Sequence, residues 1–115
     1  MGAKLGRESG SQTSFLLVLG SSPINRVLDF LIENDRENWS MYEISKNAGV
    51  GYSTLKILLP EMEKRKLLII KKRIGRIKLY TINVQNPIVH KIIELYKVIS
   101  NREMERYLKR GKDNT

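Results

Sequence analysis

Apolar side chains recur early in the chain at the spacing of one buried helix face. They stand at the i, i+3, i+4, i+7 and i+8 positions of an amphipathic helix. These residues are Ile24, Val27, Leu28, Leu31 and Ile32. Ser22 and Pro23 precede them, and serine followed by proline at the first helical position is typical of a helix start. The pattern predicts a first helix from Pro23 to about Asp35.

Signals for two further helices follow, and a short glycine-containing turn separates them. Ser40 and Glu43 have the S-x-x-E spacing of a capping box and predict the start of a second helix. Gly49 stands where a left-handed C-cap is needed. Gly51 stands at the N-cap position of a third helix, which the pattern extends from Tyr52 to about Lys66.

The third helix contains a proline in its interior. Its apolar face predicts burial of Leu55, Leu58 or Leu59, and Met62. Pro60 removes one backbone hydrogen bond to Lys56. We therefore expect the helix to bend or loosen at Pro60.

After the third helix the sequence changes to β-branched residues that roughly alternate with polar ones around Gly75. This pattern predicts a two-stranded hairpin with strands 67–73 and 76–82. Gly75 permits the tight turn between them. Trp39 falls outside the helical periods and is expected as a lid on the core or as a short strand.

Asn86 and Pro87 mark the start of a further helix, whose apolar stripe is broader than one small core needs. The stripe consists of Ile88, Val89, Ile92, Ile93, Leu95, Tyr96 and Ile99. Part of it is predicted to contact a second subunit. The residues assigned to this subunit contact are Ile88, Ile92, Leu95, Tyr96 and Ile99.

These elements define one small α+β domain, mostly α, with an additional C-terminal helix. Residues 1–14 are rich in Gly and Ser and are predicted to be mobile. Residues 15–84 form the domain, residues 85–110 the dimerisation helix, and residues 111–115 a tail. The apolar run FLLVLG at residues 15–20 fits a helical turn, a strand or an arm lying on a partner subunit.

The basic surplus is confined to the second half of the chain. The net charge is +9, yet residues 1–60 carry six basic and six acidic side chains, whereas residues 61–115 carry fifteen and six. Between Lys64 and Lys78 there are eight basic residues and no Asp or Glu. The positive charges of such a run repel one another, so an anionic partner is expected.

Other functional classes lack support in the sequence. Cysteine is absent, which excludes disulfides and thiolate metal sites. No apolar run approaches the roughly 18 residues of a membrane span, and no P-loop, nucleophile elbow, HExxH or dinucleotide fingerprint occurs. The single His90 does not indicate a metal site, and Asp29, Glu33 and Asp35 are interpreted as a solvated helix face. We expect a cytoplasmic protein without enzymatic activity, cofactor, metal or membrane partner.

The order of elements is helix, capped helix, glycine turn, helix and basic hairpin. Three segments resemble archaeal winged helix-turn-helix transcriptional regulators, broadly MarR-like: LGSSPINRVLDFLIEN, YEISKNAGVGYSTLKILLPEMEKRKLLIIKKRIGRIKLYTIN and NPIVHKIIELYKVIS. The resemblance implies a three-helix core with a β-hairpin wing, a recognition helix in the DNA major groove, and a terminal helix that forms a homodimer. Two positions depart from the family: Gly51 replaces the usual serine that opens the recognition helix, and Lys66 replaces the usual glycine before the wing.

Eight residues are the candidate contacts with double-stranded DNA. Side chains near the start of a recognition helix reach base edges and phosphates. The two arginines beside Gly75 suit a narrow minor groove, and the lysines of the hairpin suit phosphates. The candidates are Tyr52, Ser53 and Lys56 on the helix, Arg73 and Arg76 at the hairpin tip, and Lys71, Lys72 and Lys78 on the strands.

Three functions fit these features. The leading hypothesis is a sequence-specific, homodimeric transcriptional regulator. A protein-interaction winged helix would instead dock its wing on an acidic protein surface, although such modules usually lack a basic tip. An architectural or plasmid-replication DNA binder would make the same contacts as a regulator with little sequence preference.

Overall fold

The computed structural model describes residues 12–113 of the chain. Within them the elements follow in the order α1 (Ser14–Leu19), α2 (Pro23–Glu33), α3 (Met41–Ala48), α4 (Tyr52–Lys64), β1 (Leu68–Ile74), β2 (Ile77–Ile82) and α5 (Pro87–Asp113). The fold is α+β and mostly helical, with a two-stranded antiparallel hairpin and a C-terminal helix. This arrangement is consistent with a winged-helix layout.

The apolar run at residues 15–20 forms a short helix, α1. Its N-cap is Thr13, whose Oγ1 accepts a hydrogen bond from the Leu16 backbone N–H at 3.2 Å. Phe15 and Leu16 are buried, and the Phe15 ring centroid lies 5.1 Å from that of Tyr96 on α5. These contacts hold α1 against the C-terminal helix.

Asp29 corrects one interpretation made from the sequence. It is fully buried on α2, and its Oδ1 accepts a hydrogen bond from the Thr13 hydroxyl at 2.9 Å. Thr13, the N-cap of α1, thus lies against this side of α2, which the period of α2 alone does not reveal. Residues 1–11 of the segment predicted to be mobile lie outside the described residues, whereas Thr13 is anchored by this bond.

Predicted caps occupy the start of α2 and both ends of α3, whereas α2 ends at Glu33, two residues before the predicted boundary. The Ser22 side chain caps α2, and Ser40 and Glu43 make both hydrogen bonds of a capping box at α3. Gly49 ends α3 in the left-handed conformation with φ 70°. Val50 follows it and is buried in the core.

α4 continues through Pro60 to Lys64 and ends two residues before the predicted boundary. Leu55, Leu59 and Met62 are its buried residues, as the apolar period predicted. The proline does not interrupt the helix. Lys56 and Pro60 both lie on the exposed face, where water can hydrogen-bond to the Lys56 carbonyl that proline leaves free.

β1 and β2 pair around a two-residue turn, Gly75 and Arg76. Gly75 has φ 62°, and a glycine of positive φ at the first central position is typical of a type II′ hairpin turn. Ile74 pairs with Ile77 beside the turn, and a bulge interrupts the register between Ile70 and Lys72. The predicted hairpin is therefore present, shifted by one residue at three of its four strand ends.

Trp39 acts both as a lid and as a short strand. Its backbone N–H donates to the Tyr80 carbonyl at 2.9 Å and its carbonyl accepts from Tyr80 N–H at 2.8 Å. Its ring packs edge-on against Phe30 at 5.0 Å between centroids. The base of the hairpin is thereby fixed to the helical core.

Two asparagines hold the turn between α4 and β1. Lys66 lies in the left-handed region with φ 59°, which costs a non-glycine residue about 1–2 kcal/mol. The amides of Asn83 and Asn86 donate to its carbonyl at 2.9 and 3.0 Å. Asn86 Oδ1 also accepts from the Ile88 backbone N–H at 2.7 Å, so one side chain joins the end of α4 to the start of α5.

α5 extends three residues beyond the predicted end at residue 110. Near its start Val89 is buried, and Ile92, Ile93 and Tyr96 pack partly against the core. Its side chains from Ser100 to Arg110 are exposed. Between residues 12 and 113, none of the helices combines the length and the apolar character that a bilayer crossing requires.

Candidate nucleic-acid interface

The first turns of α4 are presented to solvent. Because the opposite face of the helix is buried, Tyr52, Ser53 and Lys56 are all exposed, and half of the Tyr52 surface (50%) is accessible. Gly51 provides no side-chain cap, so it leaves the first-turn N–H groups open to another acceptor. A phenol, a hydroxyl and an ammonium group on one accessible helix end can contact phosphates and base edges.

The hairpin tip is a second accessible cationic surface. All residues from 71 to 78 are exposed, including the five basic candidates Lys71, Lys72, Arg73, Arg76 and Lys78. Arg73 pairs with Lys78 across the hairpin, and paired side chains lie on the same face of a sheet. Because this segment contains no acidic residue, its charges are not neutralised from within.

A groove of about 450 Å³ connects the helix to the hairpin. It brings Tyr52 of α4 together with Arg76 and Lys78 of the hairpin, and it contains no acidic side chain. Its lining consists of Ser40, Met41, Tyr42, Tyr52, Arg76, Ile77, Lys78 and Tyr80. The other candidates, Ser53, Lys56, Lys71, Lys72 and Arg73, are exposed outside this lining.

Tyr80 is the buried member of the groove lining. Burial raises the pKa of its phenol above the ordinary value, and the charge of Glu63 raises it further, while that of Arg73 lowers it. A tyrosine shifted in this direction is neutral at physiological pH. The groove therefore combines a neutral phenol with the cations at its rim.

Two exposed residues near these surfaces were not assigned to the site from the sequence. Tyr42 lines the groove, and Lys46 Nζ lies 5.7 Å from its ring centroid. The capping box at Ser40 could have indicated its place, since it puts Tyr42 in the first turn of α3. Ile57 on α4 is 74% exposed, and an apolar side chain on such a face can contact a thymine methyl group.

The residues predicted to form a dimer divide into two groups. Ile88 and Leu95 are exposed on α5, where they line an open apolar groove of about 470 Å³. Ile92 and Tyr96 pack partly against the core of their own subunit, and Ile99 is half-buried. Leu17, Val18 and Val98 are further exposed apolar side chains of the two terminal helices.

No protein-family model matches the sequence, and comparison with curated proteins yields no match. Among solved structures, the crystal structure of Rv0081 from M. tuberculosis is similar, with a TM-score of 0.52 and 17% sequence identity. The match covers 85% of this chain and 99% of that chain. At this level of identity the similarity concerns the fold alone.

Proposed function

We propose that the chain is a winged helix-turn-helix protein that binds double-stranded DNA and regulates transcription as a homodimer. In this proposal α4 is the recognition helix and enters the major groove. The β1–β2 hairpin is the wing and contacts the backbone and the minor groove. The chain then belongs with the archaeal, broadly MarR-like regulators that its sequence resembles.

The observation that carries the proposal is the shared groove. Tyr52 from α4 and Arg76 and Lys78 from the hairpin line the same acid-free cavity. A duplex that meets one of these elements is therefore within reach of the other. An α-helix of about 10–12 Å diameter fits a major groove about 12 Å wide, and the adjacent cations can neutralise phosphates of the same duplex.

The side chains of the candidate DNA contacts indicate how strongly the protein distinguishes one DNA sequence from another. Tyr52, Ser53 and Lys56 provide no bidentate guanidinium fork, which is the strongest common reader of guanine. Arg73 and Arg76 lie on the wing, where shape and charge of the minor groove are read. We infer modest direct readout, so that competition between selected and random DNA separates a regulator from an architectural binder.

The dimer in this proposal forms through α5. Ile88 and Leu95 lie on its exposed face beside the apolar groove. A twofold dimer would place two α4 helices about one helical turn of DNA apart, roughly 34–36 Å, on a pseudo-palindromic site. The operator would then have the symmetry of the protein.

The test has two stages. DNA bound by the full chain is first selected from a random pool, and the affinity for the selected duplex is then measured against salt concentration. Six to ten phosphate contacts per dimer predict a log–log slope of about −5 to −9. A response that is flat in salt, or a chain that retains no DNA from the pool, contradicts the proposal.

A further inference from the structure

Two isoleucines stand at the very tip of the hairpin, among its cations. Ile74 and Ile77 flank the Gly75–Arg76 turn, pair with each other, and are 56% and 53% exposed. Isoleucine is costly to expose to water, and phosphate binding alone does not need it. At this position they fit a partner surface that has an apolar area surrounded by anionic groups.

The register gives the tip two different faces. Ile74 and Ile77 are directly paired and share one face, while the neighbouring pair, Arg73 and Lys78, lies on the other. Arg76 occupies the turn between the isoleucines. The tip therefore offers an apolar pair within about one residue of three cations, and the acid-free surroundings favour a polyanion as its partner.

The DNA minor groove has this combination of surfaces. Its walls are deoxyribose, its rims are phosphates, and base steps form its floor. Two hairpin strands lie about 4.8 Å apart before side chains are counted, and the minor groove is only about 6 Å wide. The tip can enter only if the groove opens, and opening it bends the duplex toward the major groove.

We propose that Ile74 and Ile77 act as an apolar wedge that opens the minor groove and bends bound DNA. The inference rests on the proposed function and adds a specific activity to it. Arg73, Arg76 and Lys78 hold the groove rims, while the isoleucines contact the sugars and the edge of one base step. Other proteins that insert isoleucine, leucine or phenylalanine in this way kink the duplex by roughly 20–90°.

The experiment measures the bend directly. A duplex of about 30 base pairs that carries the selected site is labelled with a donor and an acceptor dye at its two ends, and energy transfer is recorded at saturating protein. The variant is Ile74→Thr/Ile77→Thr, because threonine keeps the β-branched shape that suits a strand. Val84→Thr, at an exposed position in the β2–α5 connection, is the matched control.

We expect the wild-type chain and the Val84→Thr variant to raise energy transfer by the same amount. The double variant should bind the duplex yet lose about half or more of the bend, since the wedge is then too polar to stay between the sugars. Circular dichroism melting confirms that the variants are folded. Measurement at saturation prevents weaker binding from being mistaken for straight DNA.

The remaining outcomes separate this inference from the function on which it rests. A wild-type chain that binds no duplex overturns both. A wild-type chain that binds without bending, or a double variant that bends as strongly as wild type, overturns the wedge alone. Sedimentation with phosphatidylglycerol vesicles tests another partner: if the substitutions abolish vesicle binding and leave the DNA bend unchanged, the isoleucines serve a lipid surface and the wedge is wrong.

Discussion

The hairpin tip and the C-terminal helix are both exposed and both rich in cations, yet their surfaces differ in kind. Residues 71–78 contain five basic and no acidic side chains. On α5, residues 87–110 contain six basic and three acidic side chains, and Lys91 pairs with Glu94 at 3.4 Å. A surface with basic side chains alone needs an anionic partner. A surface that combines basic and acidic side chains beside an apolar stripe suits contact with a second protein.

The difference shows why net charge alone is a poor guide to function. The basic surplus of the second half of the chain is spread over both regions. In the part of the chain that the structure describes, the hairpin cations Arg76 and Lys78 share a groove with Tyr52 at the accessible start of α4. Substitutions in each region test whether the two regions have separate roles.

Removing the two arginines of the wing should have the largest effect on DNA binding. In a dimer, Arg73→Ala/Arg76→Ala removes four cationic contacts, so the log–log salt slope should become shallower by about 3–4. At about 0.1 M salt, one decade below about 1 M, this slope change corresponds to an affinity loss on the order of 1,000- to 10,000-fold. Electrophoretic mobility shift or fluorescence anisotropy measures both quantities.

The matched control removes the same charge from the other region. Arg102→Ala/Arg106→Ala on α5 should leave affinity within about threefold of wild type, because cations distant from the duplex release few counterions. If both double variants lost the same DNA affinity, the position of the cations would have no effect and only the net charge would attract DNA.

Placing acids on the exposed face of α5 should separate the subunits. Ile88→Glu/Leu95→Glu introduces two like charges into each side of the predicted interface, where they cannot be solvated. Sedimentation equilibrium should then give the mass of one 13.3 kDa chain instead of two. DNA affinity should fall about 100-fold or more, because a monomer engages one half-site and loses the avidity of the pair.

Ile57→Glu is the control for this experiment. It places the same charge on another exposed apolar position, on α4, and should leave the mass unchanged in the absence of DNA. If wild type itself sediments as a single chain, the assignment of α5 as a dimer helix is wrong, whatever the variants do.

The connection between the end of α4 and the start of α5 depends on Asn86. Asn86→Ala removes the amide donor to the Lys66 carbonyl and the oxygen that caps α5. We expect the free energy of unfolding to fall by about 1–2 kcal/mol in urea denaturation. Gln85→Ala, at the adjacent exposed position, should change it by less than about 0.5 kcal/mol. If both variants changed the free energy of unfolding by a similarly small amount, the Asn86 side chain would not hold the end of α4 to the start of α5.

The smallest effect concerns the backbone of Lys66. Lys66→Gly relieves a left-handed conformation that costs a side chain about 1–2 kcal/mol, and it adds about 0.5–1 kcal/mol of unfolded-chain entropy. The net expectation is a gain of about 0.5–1 kcal/mol in stability. Lys64→Gly, at the last residue of α4, should have the opposite sign and lose about 0.5 kcal/mol, less than the cost of about 1 kcal/mol in a helix interior. If both variants were less stable than wild type, Lys66 would not be under backbone strain.

Features determined by local chemistry could be predicted from the sequence. The capping residues Ser22 and Ser40 and the glycines Gly49 and Gly75 all occupy the predicted conformations. Each of these signals depends on a few neighbouring atoms, so the chain itself reveals it. The same holds for the accessible candidates on α4, because burial of the opposite helix face leaves them exposed.

Features determined by tertiary contacts could not be predicted. Asp29 is buried and accepts a hydrogen bond from Thr13, which is distant in sequence. The form of α1 was ambiguous because six residues are too few for a period, and Phe15 is fixed by Tyr96 on α5. The groove shared by Tyr52 and Arg76 likewise depends on how the hairpin packs on the helices. The roles of the candidate residues themselves stay predictions.

Amide hydrogen exchange of the full chain, with and without the selected duplex, tests whether α4 and the hairpin engage the same DNA. We expect DNA to slow exchange both at residues 52–56 and at residues 71–78, and to leave exchange at residues 97–110 unchanged. Protection of only one of the first two segments, or of the C-terminal helix in their place, would show that α4 and the wing do not engage the same duplex.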